Sequence, residues 1–191
     1  MNVYDFDETI FHPDSSYAFV LYCLRHYPRA VLSTMPAVAW KGSLYALNKL
    51  ETRELKETVF SFLPFLDDPE RIVLDFWEEN RGGIAAWYLA QKRPEDLIIS
   101  ASPAFLLQPA ADYLGVSLIA TPMDIHTGKI IGRNCHDEEK VRRFREQYPD
   151  AAVEEFYSDS LSDAPIARLA EKAWMVRGQE RVPWPIKSLL E

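Results

Sequence analysis

Two carboxylates stand near the start of the chain, where an apolar strand would ordinarily continue into the core. Residues 2–11 read NVYDFDETIF, and Asp5 and Asp7 directly follow a short strand predicted for Met1–Tyr4. Because alternate side chains of an extended segment point to opposite sides, Phe6 is expected to turn inward while both carboxylates face one crevice. One ionised carboxylate can attack an electrophile, and a second with a raised pKa can carry a proton. The pair predicts this chemistry, with a polar turn as the alternative.

A serine-containing junction lies where a later strand runs into a helix. Ser100 ends the apolar run LIIS, and Ala101-Ser102-Pro103 follow it, with Ser102 expected as N-cap and Pro103 as the first helical residue. Free N–H groups and the positive dipole at such a helix start favour an anion, and the Ser100 hydroxyl adds a donor. The junction predicts an anion site, and an ordinary capped helix is the alternative.

A lysine occupies an unusual place near a helix start. Lys140, in NCHDEEKVRRF, falls about one turn into a helix that Asp137 would cap. Glu138 and Glu139 already suit the positive end of that helix, so a lysine there is out of place unless an anion needs it. Lys140 is therefore expected to face an anion, although a solvated lysine would give the same sequence.

A second pair of carboxylates follows another predicted strand. In FYSDSLSDAP, Asp159 falls at the strand end and Asp163 in the first turn of the next helix. Carboxylates in this arrangement can both point at one hard cation, and Mg²⁺ is typically held by one or two carboxylates, water and a substrate phosphate. The pair predicts a Mg²⁺ site, and two helix caps would be the alternative.

The elements that must position these residues alternate in the second half of the chain. Residues 15–91 are expected to be mostly helical, whereas the chain after Pro94 alternates short strands with helices. That alternation indicates an α/β fold with a Rossmann-like parallel sheet flanked by helices. Ligands bind beyond the carboxyl ends of such strands, which is where all four clusters are predicted to lie. The expected strands after Pro94 are 97–100, 116–121, 153–158 and 173–176, and the expected helices are 103–114, 137–147 and one after Ser162.

Composition excludes some classes of partner. The net charge of −8 and pI near 5.1 argue against a nucleic-acid partner, because its phosphates require a basic surface.

The spacing of the two cysteines is typical of neither a disulfide framework nor a metal site, so reduced thiols and a cytoplasmic protein are expected. No leader is predicted, because carboxylates interrupt the first apolar stretch. The uncharged segment Ala30–Trp40 is too short to span a bilayer and is expected to form a buried or interfacial helix, which leaves peripheral membrane contact open.

Taken together, the four clusters resemble the motifs of haloacid dehalogenase superfamily phosphatases. DFDET is similar to the first motif, Ser100 to the second, Lys140 to the third, and Asp159 with Asp163 to the fourth. The placement of the helical stretch resembles the cap of the phosphoserine phosphatase-like subgroup. This resemblance implies a catalytic core formed by residues 1–12 and 93–191 and an inserted helical cap formed by residues 13–92.

The resemblance also implies a role for each site residue. Asp5 would attack phosphorus to form an aspartyl-phosphate, and Asp7 would act as general acid and base. Lys140 would offset the phosphate charge and keep Asp5 ionised, and Thr9 would position Asp7 or the phosphate. Phosphate contacts are expected from Thr9, Ser100, Ala101 and Lys140, and Mg²⁺ ligands from Asp5, Asp7, Asp159 and Asp163.

The substrate is less well defined than the chemistry. Phosphoserine phosphatases tend to have two glycines where this chain has Ala101-Ser102, and GDGAND where it has SDSLSD. Asp14, Arg25 and Arg53 are the candidates for binding the rest of a substrate. A Mg²⁺-dependent hydrolase of a small phosphorylated metabolite is the first interpretation. A phosphatase for lipid-linked phosphates and an inactive phosphate-binding module remain alternatives, and the oligomeric state is not predicted.

Overall fold

The computed structural model describes residues 1–185 of the chain and contains one six-stranded sheet in the order β3-β2-β1-β4-β5-β6. All neighbours pair in parallel except β5 and β6, which are antiparallel. Helices flank the sheet, so the predicted α/β, Rossmann-like fold class is confirmed. The strands are β1 Val3–Tyr4, β2 Leu97–Pro103, β3 Ser117–Thr121, β4 Val153–Ser158, β5 Ala170–Arg177 and β6 Glu180–Pro183.

The central strand β1 brings the two distant parts of the catalytic sequence together. Val3 pairs with Leu97 of β2 on one side and with Phe156 of β4 on the other. Directly after β1, the Asp5 N–H donates to the Tyr157 carbonyl at 2.8 Å, which extends the β4 contact by one residue. Because the three strands are parallel, their carboxyl ends meet at one edge.

Eight α-helices are described, five of them between β1 and β2. Sequence-encoded caps set several ends: Asp14 accepts from Tyr17 N at 2.8 Å, Asp68 accepts from Arg71 N at 3.0 Å, and Gly115 ends its helix with a left-handed φ of 67°. The helices are α1 Ser15–His26, α2 Pro28–Ala46, α3 Thr52–Val59, α4 Pro69–Asn80, α5 Ala86–Gln91, α6 Ala104–Leu114, α7 Glu138–Gln147 and α8 Ala164–Ala167.

Several local predictions were wrong at the ends of elements. Ser102 is not a helix cap: β2 continues through Pro103 and α6 begins at Ala104, because Pro103 still pairs with Thr121 of β3 after a register shift. Asp137 occupies the N-cap position of α7, but its side chain makes no capping hydrogen bond.

The last part of the sheet also departs from expectation. The sequence predicted a full helix after Ser162. The structure instead has a 3₁₀ turn over Leu161–Asp163, which leads into α8, a helix of only four residues. The unpredicted strand β6 pairs with β5, with Val182 opposite Met175. Its sequence ERVP has no strand signal of its own, so pairing with β5 determines its conformation. Residues 186–191, which complete the predicted core segment 93–191, lie outside the described residues.

Aromatic packing joins the helices between β1 and β2 to the sheet. Trp77 of α4 lies edge-on to Phe6 and Phe11, with ring centroids 5.7 and 4.9 Å apart, and its indole N–H donates to the Leu106 carbonyl of α6 at 2.5 Å. Phe6 is fully buried, as the sequence predicted. By contrast, α2 buries only Ala30 and Val31. Helix α4, which belongs to the predicted cap, thus packs against Phe6, Phe11 and α6 of the predicted catalytic core. The division into core and cap at residues 12/13 and 92/93 therefore stays a proposal.

In the described part of the chain, no helix has both the length and the apolar content needed to cross a bilayer.

Candidate active site

The first motif and Lys140 meet in a buried ion pair. Lys140 Nζ lies 2.8 Å from Asp5 Oδ1, and only 2% of the lysine surface and 8% of the aspartate surface are exposed. Asp5 is held by the end of β1, whereas Lys140 is placed by the first turn of α7. The lysine that the sequence marked as out of place therefore faces an anion, and that anion is the predicted nucleophile.

A second carboxylate completes this ion pair. Lys140 Nζ also lies 2.8 Å from Asp163, and Asp163 Oδ2 accepts a hydrogen bond from Ser158 Oγ at 2.7 Å. The pKa of Lys140 is raised, because its two carboxylate partners outweigh the desolvation that would lower it. When two carboxylates and one ammonium are buried together, the desolvation penalty exceeds their electrostatic attraction unless every group is paired. Such an arrangement indicates a functional site more than a stabilising one.

Asp7 points toward the start of α1. Its Oδ1 accepts from the Ser15 backbone N–H at 2.6 Å, and its Oδ2 accepts from the Ser102 hydroxyl. The α1 N-terminus supplies a positive dipole end beside this carboxylate. Ser102, expected as a helix cap, thus orients the predicted acid–base residue.

Thr9 bonds to a different residue from the one expected. Its hydroxyl accepts from Asp159 N at 3.0 Å and donates to Asp159 Oδ1 at 3.4 Å, and Thr9 is fully buried. Thr9 therefore positions Asp159 and not Asp7, and its contact with a phosphate stays a prediction. The hydroxyl fixes the backbone and side chain of the fourth motif to the loop that carries the first.

The second motif lines the same cavity as Asp5. Ser100 Oγ accepts from Ser102 N at 3.0 Å, so its hydroxyl proton remains for another acceptor. The Ala101 carbonyl accepts from Thr121 Oγ1 at 2.7 Å and from Lys56 Nζ at 2.8 Å. These bonds fix the end of β2 beside the cavity.

Sequence reasoning missed Lys56. This residue of α3 lines the same cavity, and its Nζ also donates to Asn134 Oδ1 at 2.9 Å. Burial lowers the pKa of Lys56, while Asp7 and Asp14 oppose that effect. No local signal identifies the residue, because a lysine in an amphipathic helix is ordinarily solvated. Only the packing of α3 over the end of β2 brings it here.

Of the three residues that the sequence offered for binding the rest of a substrate, only Asp14 lines the cavity. Asp14 lines the cavity while capping α1. Arg53 instead donates to the Gly132 carbonyl at 3.0 Å and the Ile130 carbonyl at 2.9 Å, joining α3 to the loop before α7. Arg25 is exposed on α1 and lies outside the cavity lining.

Burial raises the pKa of three site carboxyls. The pKa of Asp5 rises to about 8, because burial outweighs the opposing attraction of Lys140. The pKa of Asp7 rises to about 6 through burial, aided by Asp14 and opposed by Ser102 and Ser15. The pKa of Asp159 is also raised, again mainly by burial. The role predicted for Lys140, keeping Asp5 ionised, stays a prediction: Lys140 lowers the pKa of Asp5, but burial outweighs that effect.

The cavity has a volume of about 400 Å³ and an excess of acidic groups. Its acidic side chains outnumber its two lysines and one histidine, and they are Asp5, Asp7, Glu8, Asp14, Asp159 and Asp163. No group of three or more metal-binding side chains converges within residues 1–185. Mg²⁺, however, needs only one or two carboxylates beside water and phosphate. Asp5 and Asp159 both line this cavity and provide carboxylate oxygens of the kind that this ion binds.

Comparison with known proteins agrees with this geometry. The model of the haloacid dehalogenase-like hydrolase family matches residues 3–168. The comparison with curated proteins gave no match. Because the family model covers most of the sequence, the chain belongs to the haloacid dehalogenase-like hydrolases.

Solved structures share the fold at low sequence identity. A protein of unknown function from Bordetella pertussis aligns with a TM-score of 0.75 at 21% identity, covering 91% of this chain and 87% of that one. A phosphoserine phosphohydrolase-like protein from Francisella tularensis gives 0.58 at 16%, covering 91% and 86%. A probable phosphoserine phosphatase from Vibrio cholerae gives 0.62 at 14%, covering 90% and 55%. The resemblance inferred from the motifs is confirmed at the level of fold and family.

Proposed function

We propose that this haloacid dehalogenase-like hydrolase is a Mg²⁺-dependent phosphatase that cleaves a small phosphorylated metabolite through an aspartyl-phosphate on Asp5. The observation that carries the proposal is the buried contact of Lys140 with Asp5 and Asp163, in a cavity that a third carboxyl, Asp7, also lines. A lysine held between a nucleophile and a fixed carboxylate places positive charge where a phosphate would arrive, without a rearrangement during the reaction.

In the first step, Asp5 attacks phosphorus and the bond to the leaving oxygen breaks. Asp7, whose pKa is about 6, gives its proton to that oxygen. In the second step, Asp7 takes a proton from water, which attacks the acyl-phosphate and releases inorganic phosphate and the Asp5 carboxylate. Ser102 and the Ser15 N–H hold Asp7 in place for both transfers.

A phosphate dianion repels the carboxylate that must attack it. Lys140, the Ser100 hydroxyl and Lys56, which all line the cavity, are proposed to offset that charge. The Ala101 carbonyl fixes Lys56, so its ammonium does not need to be ordered when a substrate binds. Ala101 is proposed to contribute its backbone N–H to the phosphate, whereas the Ser102 N–H already donates to Ser100 Oγ.

Mg²⁺ would be held by Asp5, the Asp7 carbonyl and Asp159, with Thr9 orienting Asp159. When bound, the ion supplies positive charge to the phosphate and keeps Asp5 ionised. Asp163, which the sequence placed among the metal ligands, is proposed to position Lys140 instead, because it already bonds to that lysine and to Ser158.

A phosphatase for lipid-linked phosphates is the second candidate. One wall of the cavity is apolar and is contributed by Leu55, Val59 and Phe60 of the α3 region. An acyl or prenyl chain could rest on that wall while its phosphate reaches Asp5. A small polar metabolite would not need this surface.

Turnover of para-nitrophenyl phosphate, measured with Mg²⁺ and with EDTA, tests the proposal. We expect Mg²⁺-dependent release of phosphate that Asp5→Asn abolishes, because the amide is a poor nucleophile of the same shape. Full activity in EDTA would contradict the metal role, and an active Asp5→Asn enzyme would contradict the nucleophile. Absence of turnover by the wild type would favour the inactive phosphate-binding module.

A further inference from the structure

A positively charged stretch stands apart from the rest of this acidic protein. Residues 15–50 contain four basic residues, Arg25, Arg29, Lys41 and Lys49, and no Asp or Glu, whereas the whole chain has a net charge of −8. Within residues 1–185, none of the four forms an ion pair. Several basic residues elsewhere in the chain are paired: Arg142, for example, contacts both Glu139 and Glu146. The charge of this stretch is therefore available to a partner.

The same stretch exposes an apolar stripe. Leu32 is 56% exposed, Trp40 67% and Leu47 63%, and these residues recur at intervals of about two helical turns along α2 and its end. Pro36 and Ala39 lie between them on the same side of the helix and are also exposed. The opposite side of α2 carries Ala30 and Val31 into the core. We call the exposed set Leu32, Pro36, Ala39, Trp40 and Leu47 the α2 stripe.

We propose that the α2 stripe and its flanking basic residues dock this protein on an anionic lipid surface. An interfacial helix of this kind buries an apolar face among the acyl chains while Lys and Arg meet the headgroup phosphates. Tryptophan is favoured at such an interface because its ring is apolar and its N–H is polar. Trp40 is the most exposed of the large apolar side chains described.

A second copy of the chain is a poorer occupant for this surface. A symmetric dimer through the stripe would bring two identical basic stretches together, and like charges would repel. An anionic bilayer instead supplies the complementary charge and an apolar layer at the same time. Charge complementarity therefore favours the lipid surface.

The end of α2 adjoins the helix that lines the candidate active site. Helix α3 packs against α2, with Tyr45 Oη 3.3 Å from Thr52 Oγ1, and α3 contributes Thr52, Leu55 and Lys56 to the cavity. Docking through α2 would thus place a cavity wall near the bilayer. The docking itself does not depend on the proposed function. The idea that the phosphate of a docked lipid reaches Asp5 does rest on it.

Sedimentation of the full chain with lipid vesicles tests the inference. We expect the wild type to pellet with vesicles of phosphatidylglycerol and phosphatidylcholine at low salt, to pellet poorly with phosphatidylcholine alone, and to be released by added salt. Trp40→Ser should reduce partitioning by about tenfold, the effect of withdrawing one large apolar side chain. Arg29→Glu with Lys41→Glu should abolish it.

Matched variants elsewhere on the surface provide the controls. Ile131→Ser removes a side chain that is 62% exposed outside α2, and Lys172→Glu reverses an exposed charge on β5; both should bind vesicles as the wild type does. Asp5→Asn should also bind normally, which separates docking from catalysis. The proposal is overturned if anionic vesicles do not bind the wild type at low salt, or if the α2 variants bind as well as the controls. A dimer that Trp40→Ser dissolves, without vesicle binding, would also overturn it and assign the stripe to a second copy.

Discussion

Lys140 Nζ and Asp5 Oδ1 lie 2.8 Å apart, although 135 residues separate them in the sequence. The contact exists because β1 lies next to β4 in the sheet and α7 leads into β4, so its first turn reaches the end of β1. Asp163 holds the other side of the ammonium. This arrangement fixes a positive charge beside a carboxylate in a largely buried place.

Replacing Lys140 with Met should lower kcat by at least about a hundredfold, as for the loss of one preorganised electrostatic group. The methionine side chain retains much of the packing in α7 but carries no charge. Arg142→Met removes an exposed charge from the same helix and serves as the control. Steady-state kinetics with para-nitrophenyl phosphate provides the measurement, and a rate close to that of the wild type would make Lys140 a structural residue.

Asp159 and Asp163 should respond differently to substitution. Asp159→Asn should raise the Mg²⁺ concentration needed for half-maximal activity, because it removes a proposed metal ligand. Asp163→Asn should lower kcat with little change in that concentration, because it loosens Lys140 instead. Mg²⁺ titrations of both variants separate the two roles. An Asp163→Asn enzyme that needs much more Mg²⁺ would return Asp163 to the metal ligands.

Lys56 should contribute to substrate binding through its charge. Lys56→Met should lower kcat/KM by about tenfold, and Lys56→Arg should recover part of the loss, because the guanidinium retains the charge in the cavity. Lys172→Met, which changes an exposed lysine on β5, is the matched control. Equal kcat/KM values for Lys56→Met and the wild type would show that Lys56 only fastens α3 to the Ala101 carbonyl.

The pH dependence of stability should reveal the burial of Asp7. Burial raises its folded pKa from 3.8 to about 6, so protonated Asp7 contributes stability that is fully present below about pH 4 and is lost as the pH rises through 6. Asp7→Asn cannot ionise and avoids that loss. Without Mg²⁺, the variant should therefore be more stable than the wild type at pH 8 by on the order of 1–2 kcal/mol, with a smaller difference at pH 4.

Denaturant unfolding in EDTA at several pH values measures this difference. Asp150→Asn, which changes an exposed aspartate after α7, should leave the pH profile unaltered. A difference between Asp7→Asn and the wild type that does not grow between pH 4 and pH 8 would mean that Asp7 is solvated in the folded protein.

The sequence predicts which residues come together at the site better than it predicts the hydrogen bonds that hold them there. The four clusters could be placed together because parallel strands end at one edge, so Asp5, Ser100 and Asp159 had to be neighbours. The role of Ser102 could not be predicted, because Ser before Pro favours a helix cap locally. In the fold, the pairing of Pro103 with Thr121 keeps Ser102 extended and turns its hydroxyl to Asp7.

Features that arise only from packing between distant elements have no pattern in the sequence from which they could be predicted. Lys56 resembles any exposed helical lysine until α3 lies over the Ala101 carbonyl. Strand β6 forms only because β5 offers an edge to pair with, since its residues alone do not favour a strand. The raised pKa of Asp5 likewise depends on how deeply the strand end is buried, which the motif alone does not reveal.

A covalent phosphoryl group on Asp5 is the most direct test of the central claim. Asp7→Asn leaves the nucleophile in place but removes the group that activates water, and para-nitrophenolate departs without needing a proton. The variant, mixed with Mg²⁺ and para-nitrophenyl phosphate and quenched in acid, should show a burst of one product per active site. Mass spectrometry should then find one added phosphoryl group on the peptide that carries Asp5, and none when Asp5→Asn is added to the variant. If Asp7→Asn gives neither burst nor adduct while it still binds Mg²⁺ and a phosphate mimic, the division of roles between Asp5 and Asp7 is wrong.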